Sequence, residues 1–121
     1  IPYTDPYNPA NNTAPLTSIK IRWDESAGFD EKLERIITQK WIAMYPEGQE
    51  AWSEFRRTGY PRLWPVVENN SNGDVPNGKF IRRINYPPAI TNSSKTAVAE
   101  AVSKYLGGAD KISTPLWWDI R

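Results

Sequence analysis

The sequence has 121 residues, enough for one domain, and 24% of its side chains are charged, as is typical of a water-soluble polypeptide rather than a membrane-spanning one. Its 15 basic and 14 acidic residues nearly cancel, which argues against a general attraction to nucleic acid or anionic lipid. The lack of Cys and His excludes disulfides, Cys-ligated zinc and the Ser-His-Asp and Cys-His mechanisms within this chain. Carboxylates, lysines and tyrosines remain for chemistry, and any binding must be local.

Residues 1–16 contain four prolines among Asn, Thr, Asp and Tyr, which predicts an extended segment without its own core. The chain starts at Ile1 with no initiator methionine and no apolar leader, so we expect a piece of a longer protein. Residues 17–23 then alternate, with Ile19, Ile21 and Trp23 on one side, and this pattern predicts a short strand.

A pair of neighbouring helices is predicted over residues 29–58. From Phe29 to Tyr45 the apolar side chains recur at steps of three and four, and Pro46 prevents further extension. The second helix covers 48–58, and Gly59 stands where a left-handed C-terminal cap belongs. The connection between the two helices is short, so we expect them to be neighbours.

Loops are predicted over residues 60–92, because prolines punctuate them and residues 68–78 are rich in Asn and Gly. A brief extended run is expected at 79–86. An apolar stripe predicts a third helix over 94–106, which Gly107 and Gly108 end, and 107–121 form a tail. The predicted fold class is therefore mainly α with long ordered loops and one or two short strands.

The acidic residues allow a chemical and a structural interpretation. A glycosidase needs two carboxylates roughly 5 to 10 Å apart across a cleft, a geometry that sequence cannot supply. Asp30, Glu31 and Glu34 are better explained as the solvated first turn of a helix. Glu50 and Glu54, beside two arginines, are expected in an ion-paired helix face or an interhelical network.

The candidate ligand-binding residues are Trp64, which lies in a loop between two prolines, and the nearby Tyr60. The run 69–74 offers oxygen atoms for calcium but lacks the acidic charge and glycine spacing of an EF-hand loop. We therefore expect no metal and no cofactor. Doubled arginines near aromatic residues are compatible with single-stranded nucleic acid, but the balanced charge argues against such a partner.

Several motifs resemble the C-terminal part of the SusD/RagB family of nutrient-binding outer-membrane lipoproteins. The stretch 36–43 (IITQKWIA) is followed by EAW at 50–52 and RRTGYP at 56–61, and Arg82-Arg83, Tyr86-Pro87 and LWWD at 116–119 keep the family's order. The residues that carry the resemblance are Gln39, Lys40, Trp41, Glu50, Trp52, Arg56, Arg57, Gly59, Tyr60, Pro61, Trp117, Trp118 and Asp119. We expect these residues to be structural, with Trp41, Trp52, Trp117 and Trp118 committed to packing.

The resemblance implies a larger α-helical protein with tetratricopeptide-like helix pairs, held in the outer membrane of Bacteroidetes at the cell surface by a lipidated cysteine upstream of this segment. Such proteins cover a SusC-like TonB-dependent transporter, capture oligosaccharides or peptides, and are not enzymes. This chain would be the C-terminal portion, and its partners would be the missing N-terminal part of the same protein, the transporter and the nutrient. The family's aromatic ligand platform would lie largely upstream.

Two other interpretations remain open. A stand-alone carbohydrate-binding module would fold by itself and bind sugar, whereas a fragment would expose apolar surface and bind nothing measurable. A fragment of a glycoside hydrolase would need a carboxylate with a strongly perturbed pKa in a cleft.

Overall fold

The computed structural model describes residues 2–119 and divides the chain into two compact units, residues 1–64 and 65–121. The first unit contains the 3₁₀ turn Pro9–Asn11 and the helices α1 (Phe29–Ala43) and α2 (Gly48–Thr58). The second contains α3 (Pro88–Ser93) and α4 (Lys95–Ala101), which continues into the π-helical turn Val102–Leu106. Within the described residues, β pairing is limited to an isolated antiparallel bridge between Tyr3 and Thr13. The mainly α class with long loops is thus confirmed.

The N-terminal segment is a closed loop, so the predicted extended conformation is wrong. Asp5 explains the closure, because its carboxylate accepts hydrogen bonds from the backbone N–H groups of Tyr7 and Asn8 and from Asn11 Nδ2. These bonds, that from Asn11 first, hold the pKa of Asp5 below its usual range. Short polar side chains that bond nearby backbone favour turns over extended structure. Their influence outweighs that of the prolines here.

The strand predicted over residues 17–23 does not form. Within residues 2–119 this segment has no strand partner, and Ile21, which should face a core, is exposed. The alternating pattern was therefore misleading: a strand needs a neighbour to satisfy its N–H and C=O groups, and the described chain offers none at this position.

The two long helices pack as a pair and form the apolar core of the first unit. Ile37 of α1 and Ala51 and Phe55 of α2 are its buried apolar side chains on these helices. Asp30 and Glu31 lie in the first turn of α1, where the helix dipole favours negative charge. The connection contains a cis peptide bond between Tyr45 and Pro46.

The second unit differs from the sequence prediction in two respects: a short helix precedes the predicted one, and the predicted helix ends in a π-helical turn. Pro88 occupies the first turn of α3, a helix that begins inside the predicted 60–92 loop region. Ser94 separates it from α4, which begins one residue later than predicted and widens into the π-helical turn. Gly107 then ends the helix with a φ of 68°. On the predicted apolar stripe, Val98, Val102 and Leu106 are half-buried, whereas Tyr105 is exposed.

Most of the second unit is loop. Among its described residues, Val75 is the buried apolar side chain, and Arg83 and Asp119 are buried charged ones. Across residues 2–119, no helix combines the length and apolar character needed to cross a bilayer.

Candidate functional site

A polar cleft of about 410 Å³ lies in the first unit, beside the start of α1. Residues 16–19, before α1, form one wall of the cleft, and acidic residues of α1 form the second. Residues that follow α2 form the third wall. The lining residues of the cleft are Leu16, Thr17, Ser18, Ile19, Asp30, Glu31, Glu34, Tyr60 and Arg62. Of the two candidate ligand-binding residues, the structure brings Tyr60 to this cleft.

Glu34 is the buried acid of the cleft, and only 4% of its surface is exposed. Its Oε1 accepts a hydrogen bond from Arg62 Nε at 3.2 Å. The expectation of a solvated Glu34 is therefore wrong, because the chain after α2 returns over α1 and covers it. Sequence periodicity could not reveal this ion pair, since its two residues lie 28 positions apart.

The end of α2 explains how Tyr60 reaches the cleft. Gly59 adopts the left-handed conformation with a φ of 74°, and its N–H donates to the carbonyl of Phe55. Thr58 Oγ1 donates to the carbonyl of Glu54 and accepts from the Tyr60 N–H. A glycine at this position lets the chain reverse without a Cβ clash. The cis peptide between Tyr60 and the buried Pro61 follows directly.

Trp64, the other candidate, is 56% exposed and is not among the lining residues of the cleft. The structure therefore does not unite the two candidates in one site. The sequence pattern does not predict a role for Arg62, although this residue provides the positive charge of the cleft. A lone arginine after a proline carries no sequence signal for such a role.

An ion network connects the two long helices, as the acidic residues of α2 predicted. Lys40 Nζ of α1 lies 2.6 Å from Glu54 Oε1 and 3.1 Å from Glu50 Oε1 of α2. Arg57 Nε donates to Glu54 Oε2 at 3.1 Å. Partial burial raises the pKa of Glu54, but the bonds from Lys40 and Arg57 outweigh it and bring the pKa below its usual value. The hydrogen bonds of Lys40 to Glu54 and to Glu50 raise the pKa of Lys40.

The remaining motif residues of this unit have different environments. Trp52 is half-buried rather than fully in the core, and the guanidinium of the buried Arg56 lies 3.7 Å from the centre of its ring. This distance is within the range of a cation–π contact. Gln39 is exposed on α1. Trp41 is half-buried and lines an apolar groove of about 520 Å³ at the α1–α2 connection, together with Ile42, Met44, Tyr45, Pro46, Glu47, Gly48 and Ala51.

Two arginine–aspartate pairs hold the loops of the second unit. Arg82 Nη1 donates to Oδ1 of the buried Asp119 at 2.9 Å, and Arg83 Nη1 donates to Asp110 Oδ1. The backbone N–H groups of both arginines donate to the carbonyl of Ile112. The pairs thus fasten residues 82–83 to residues 110–119, which explains why these motif positions need charged side chains.

The adjacent tryptophans behave differently from one another. Trp118 is half-buried, whereas Trp117 is 84% exposed. Trp117 is therefore not packed against this chain, and its expected packing role stays a prediction for the larger protein. The 107–119 segment lacks a helix or strand that could form a wall beside it.

The loop at 69–75 is organised by its own side chains. Asn69 Nδ2 and Ser71 Oγ both donate to the carbonyl of Val75, and Lys111 Nζ donates to the carbonyl of Gly73. The Gly73 carbonyl oxygen therefore faces an ammonium group, which takes the place that a calcium ion would need beside this oxygen. Among residues 2–119, no three His, Cys, Asp or Glu side chains form a group that could hold a metal ion.

Comparison with known proteins explains the motifs. A family profile described as SusD-like, "Susd and RagB outer membrane lipoprotein", matches residues 1–119. No curated protein gave a match. Among solved structures, a chitin-binding SusD homologue from Flavobacterium johnsoniae is 48% identical over 99% of this chain and 25% of its own, with a TM-score of 0.83.

Two further structures agree with that result. A SusD homologue from Bacteroides uniformis is 47% identical over 94% of this chain and 24% of its own, with a TM-score of 0.83. A SusD-like protein from Bacteroides thetaiotaomicron is 40% identical over 99% of this chain and 25% of its own, with a TM-score of 0.82. The chain thus spans about a quarter of the length of these relatives and corresponds to a fragment of a larger protein. It belongs to the SusD-like family of outer-membrane lipoproteins.

Proposed function

We propose that this chain is the C-terminal structural portion of a cell-surface lipoprotein that binds an oligosaccharide or peptide nutrient and delivers it to a SusC-like TonB-dependent transporter. The observation that carries the proposal is the 48% identity with a chitin-binding SusD homologue over 99% of this chain. A glycan is therefore the nutrient class to test first. The protein is proposed to bind without catalysis.

The structural role rests on the motif residues. Lys40, Glu50 and Arg57 join in ion pairs, Gly59 ends a helix, and Asp119 binds Arg82. Each of these contacts fixes helices or loops of the chain. These residues therefore hold the structure together, and we expect other residues to bind the nutrient.

The polar cleft at Tyr60 favours a second candidate, the stand-alone carbohydrate-binding module. Its volume of about 410 Å³ is within the range of small-ligand pockets, and its carboxylates and arginine could bond to hydroxyl groups. A single aromatic residue there gives little affinity by itself, since one stacked ring supplies roughly 1 to 3 kcal/mol while millimolar binding needs about 4 kcal/mol.

Calorimetric titration of the complete protein with chitin, starch and xylan oligosaccharides and with mixed peptides tests the proposal. We expect micromolar binding to one class by the complete protein and no measurable binding by residues 1–121 alone. Micromolar binding by residues 1–121, abolished by Tyr60→Ala or Trp64→Ala, would support the module instead. No binding of any probe by the complete protein would contradict the proposed function.

Two further measurements address the transporter and catalysis. A tagged complete protein purified from native outer membranes should bring a TonB-dependent transporter with it, and recovery without one would count against the partnership. Incubation with the bound oligosaccharide should release no new reducing ends. Cleavage that is lost in Glu34→Gln would favour the hydrolase alternative.

A further inference from the structure

Trp23 is an exposed aromatic residue that is fixed by polar neighbours and lies outside the residues that line the cleft. Its Nε1 donates a hydrogen bond to Glu25 Oε1 at 2.8 Å. Lys32 Nζ of α1 lies 5.8 Å from the centre of the indole ring and donates to the carbonyl of Glu25 at 2.7 Å. The indole is therefore held by contacts at its edge and near its face.

The turn that carries Trp23 is also fixed. Asp24 Oδ1 accepts from the Ser26 N–H at 2.9 Å and from Ser26 Oγ at 2.6 Å. These bonds hold the pKa of Asp24 below its usual range, because hydrogen bonds to a carboxylate favour its ionised form. The backbone of residues 24–26 is thus set before any ligand arrives.

The ring is partly exposed in this chain. Trp23 keeps 44% of its surface exposed, and the Glu25 side chain beside it is 85% exposed. The hydrogen bond to Glu25 and the cation–π contact with Lys32 fix the orientation of the ring. An aromatic surface that is rigid and open to water loses little conformational freedom on binding.

We propose that Trp23, Glu25 and Lys32 form a subsite that stacks one pyranose ring of an oligosaccharide. The indole offers a flat apolar surface to the C–H face of the sugar. Glu25 supplies acceptor oxygens for hydroxyl groups, and Lys32 supplies a donor at the same ring. This inference rests on the proposed function, because it assumes that the bound nutrient is a glycan.

The test uses the complete protein and calorimetric titration with chitin oligosaccharides, followed by starch and xylan oligosaccharides. Trp23→Ala should raise the dissociation constant by about tenfold or more, and Trp23→Phe, which keeps a ring, should raise it less. Glu25→Ala should weaken binding as well, because the indole loses its hydrogen bond and its fixed orientation. Tyr7→Ala, which removes another exposed ring of the same unit, should leave the dissociation constant unchanged.

The possible failures are distinguishable. If the wild type binds an oligosaccharide and Trp23→Ala binds it equally well, the subsite is overturned while the proposed function stands. If the wild type binds none of the oligosaccharides, the glycan assignment fails and the subsite with it. Should Trp23→Ala fail to fold, Trp23→Phe and Glu25→Ala decide: wild-type affinity in both overturns the subsite, and weaker binding in both supports it.

Discussion

The two units of the chain are stabilised in different ways. The first has apolar side chains buried between two long helices, including Ile37 and Phe55, whereas the second has Val75 as its buried apolar residue among those described. Helices satisfy their own backbone groups, so their facing side chains can be apolar. Loops do not, and in the second unit charged and hydroxyl side chains provide the missing hydrogen bonds.

The loop contacts of the second unit illustrate this difference. Lys111 Nζ donates to the carbonyl of Gly73, and Ser113 Oγ donates to that of Asp74, so residues far apart in sequence become joined. The Ile112 carbonyl accepts from the N–H groups of Arg82 and Arg83. A unit built this way should be sensitive to loss of a charge, and the first unit to loss of apolar volume.

Removal of the largest buried ring should have the greatest effect. Phe55→Ala should lower the free energy of unfolding by about 3 to 5 kcal/mol, since it removes buried apolar surface and leaves a cavity. Phe29→Ala is the matched control, because Phe29 is 74% exposed, and it should cost less than about 1 kcal/mol. Urea denaturation followed by tryptophan fluorescence compares them. Equal losses would mean that Phe55 is not a core residue.

Loss of the buried carboxylate should destabilise the second unit. Asp119→Ala should cost about 2 to 3 kcal/mol, because Arg82 loses a charged hydrogen-bond partner in a site with little water. Hydrogen exchange should accelerate in residues 80–86 and remain unchanged in α1 and α2. Glu100→Ala removes the acid of an exposed ion pair with Lys104 and should cost less than about 1 kcal/mol. Faster exchange throughout the chain would contradict a local role for Asp119.

The end of α2 offers a smaller test of the first unit. Gly59→Ala should cost about 1 to 2 kcal/mol, since alanine strains at a φ of 74°. Gly48→Ala is the control: Gly48 is the first residue of α2, and a Cβ there would meet nothing within 4 Å. That variant should be neutral or slightly stabilising in urea denaturation. A neutral Gly59→Ala would show that the left-handed cap is not required.

Helix packing in the first unit was easier to predict from the sequence than the long-range loop contacts of the second. Periodicity located the helix pair 29–58 because the apolar positions of α1 and α2 depend on neighbours three and four residues away. It failed for residues 17–23, whose alternation has no partner strand in the described chain. For 94–106 it located the helix, which begins at Lys95 and ends before Gly107, but not the widening after Ala101. Local patterns carry no information on such tertiary context.

The candidate site was less predictable than the helices. Tyr60 is a candidate from the sequence because it is an aromatic residue near Trp64, but the Glu34–Arg62 ion pair beside it depends on a contact between distant positions. Glu34 has the sequence surroundings of a solvated helical acid. The alternating pattern predicts Trp23 on one side of a strand, whereas the structure has no strand there and orients the ring through Glu25 and Lys32. Burial and side-chain orientation were the missing information in each case.

The smallest predicted effect concerns pH and the interhelical network. The pKa of Glu54 is lower in the folded chain than its ordinary value of 4.5, because Lys40 and Arg57 stabilise the ionised form more than partial burial disfavours it. The folded state therefore gains stability from Glu54 above pH 4.5 and loses it as the pH falls through the lower folded value. Glu54→Gln should remove this gain, so the stability difference between wild type and variant should be largest near neutral pH and shrink in acid. Urea denaturation between about pH 3 and pH 7 measures it, and high salt should reduce the difference because it screens half-exposed charges. A difference that does not change with pH would show that Glu54 acts through packing rather than charge.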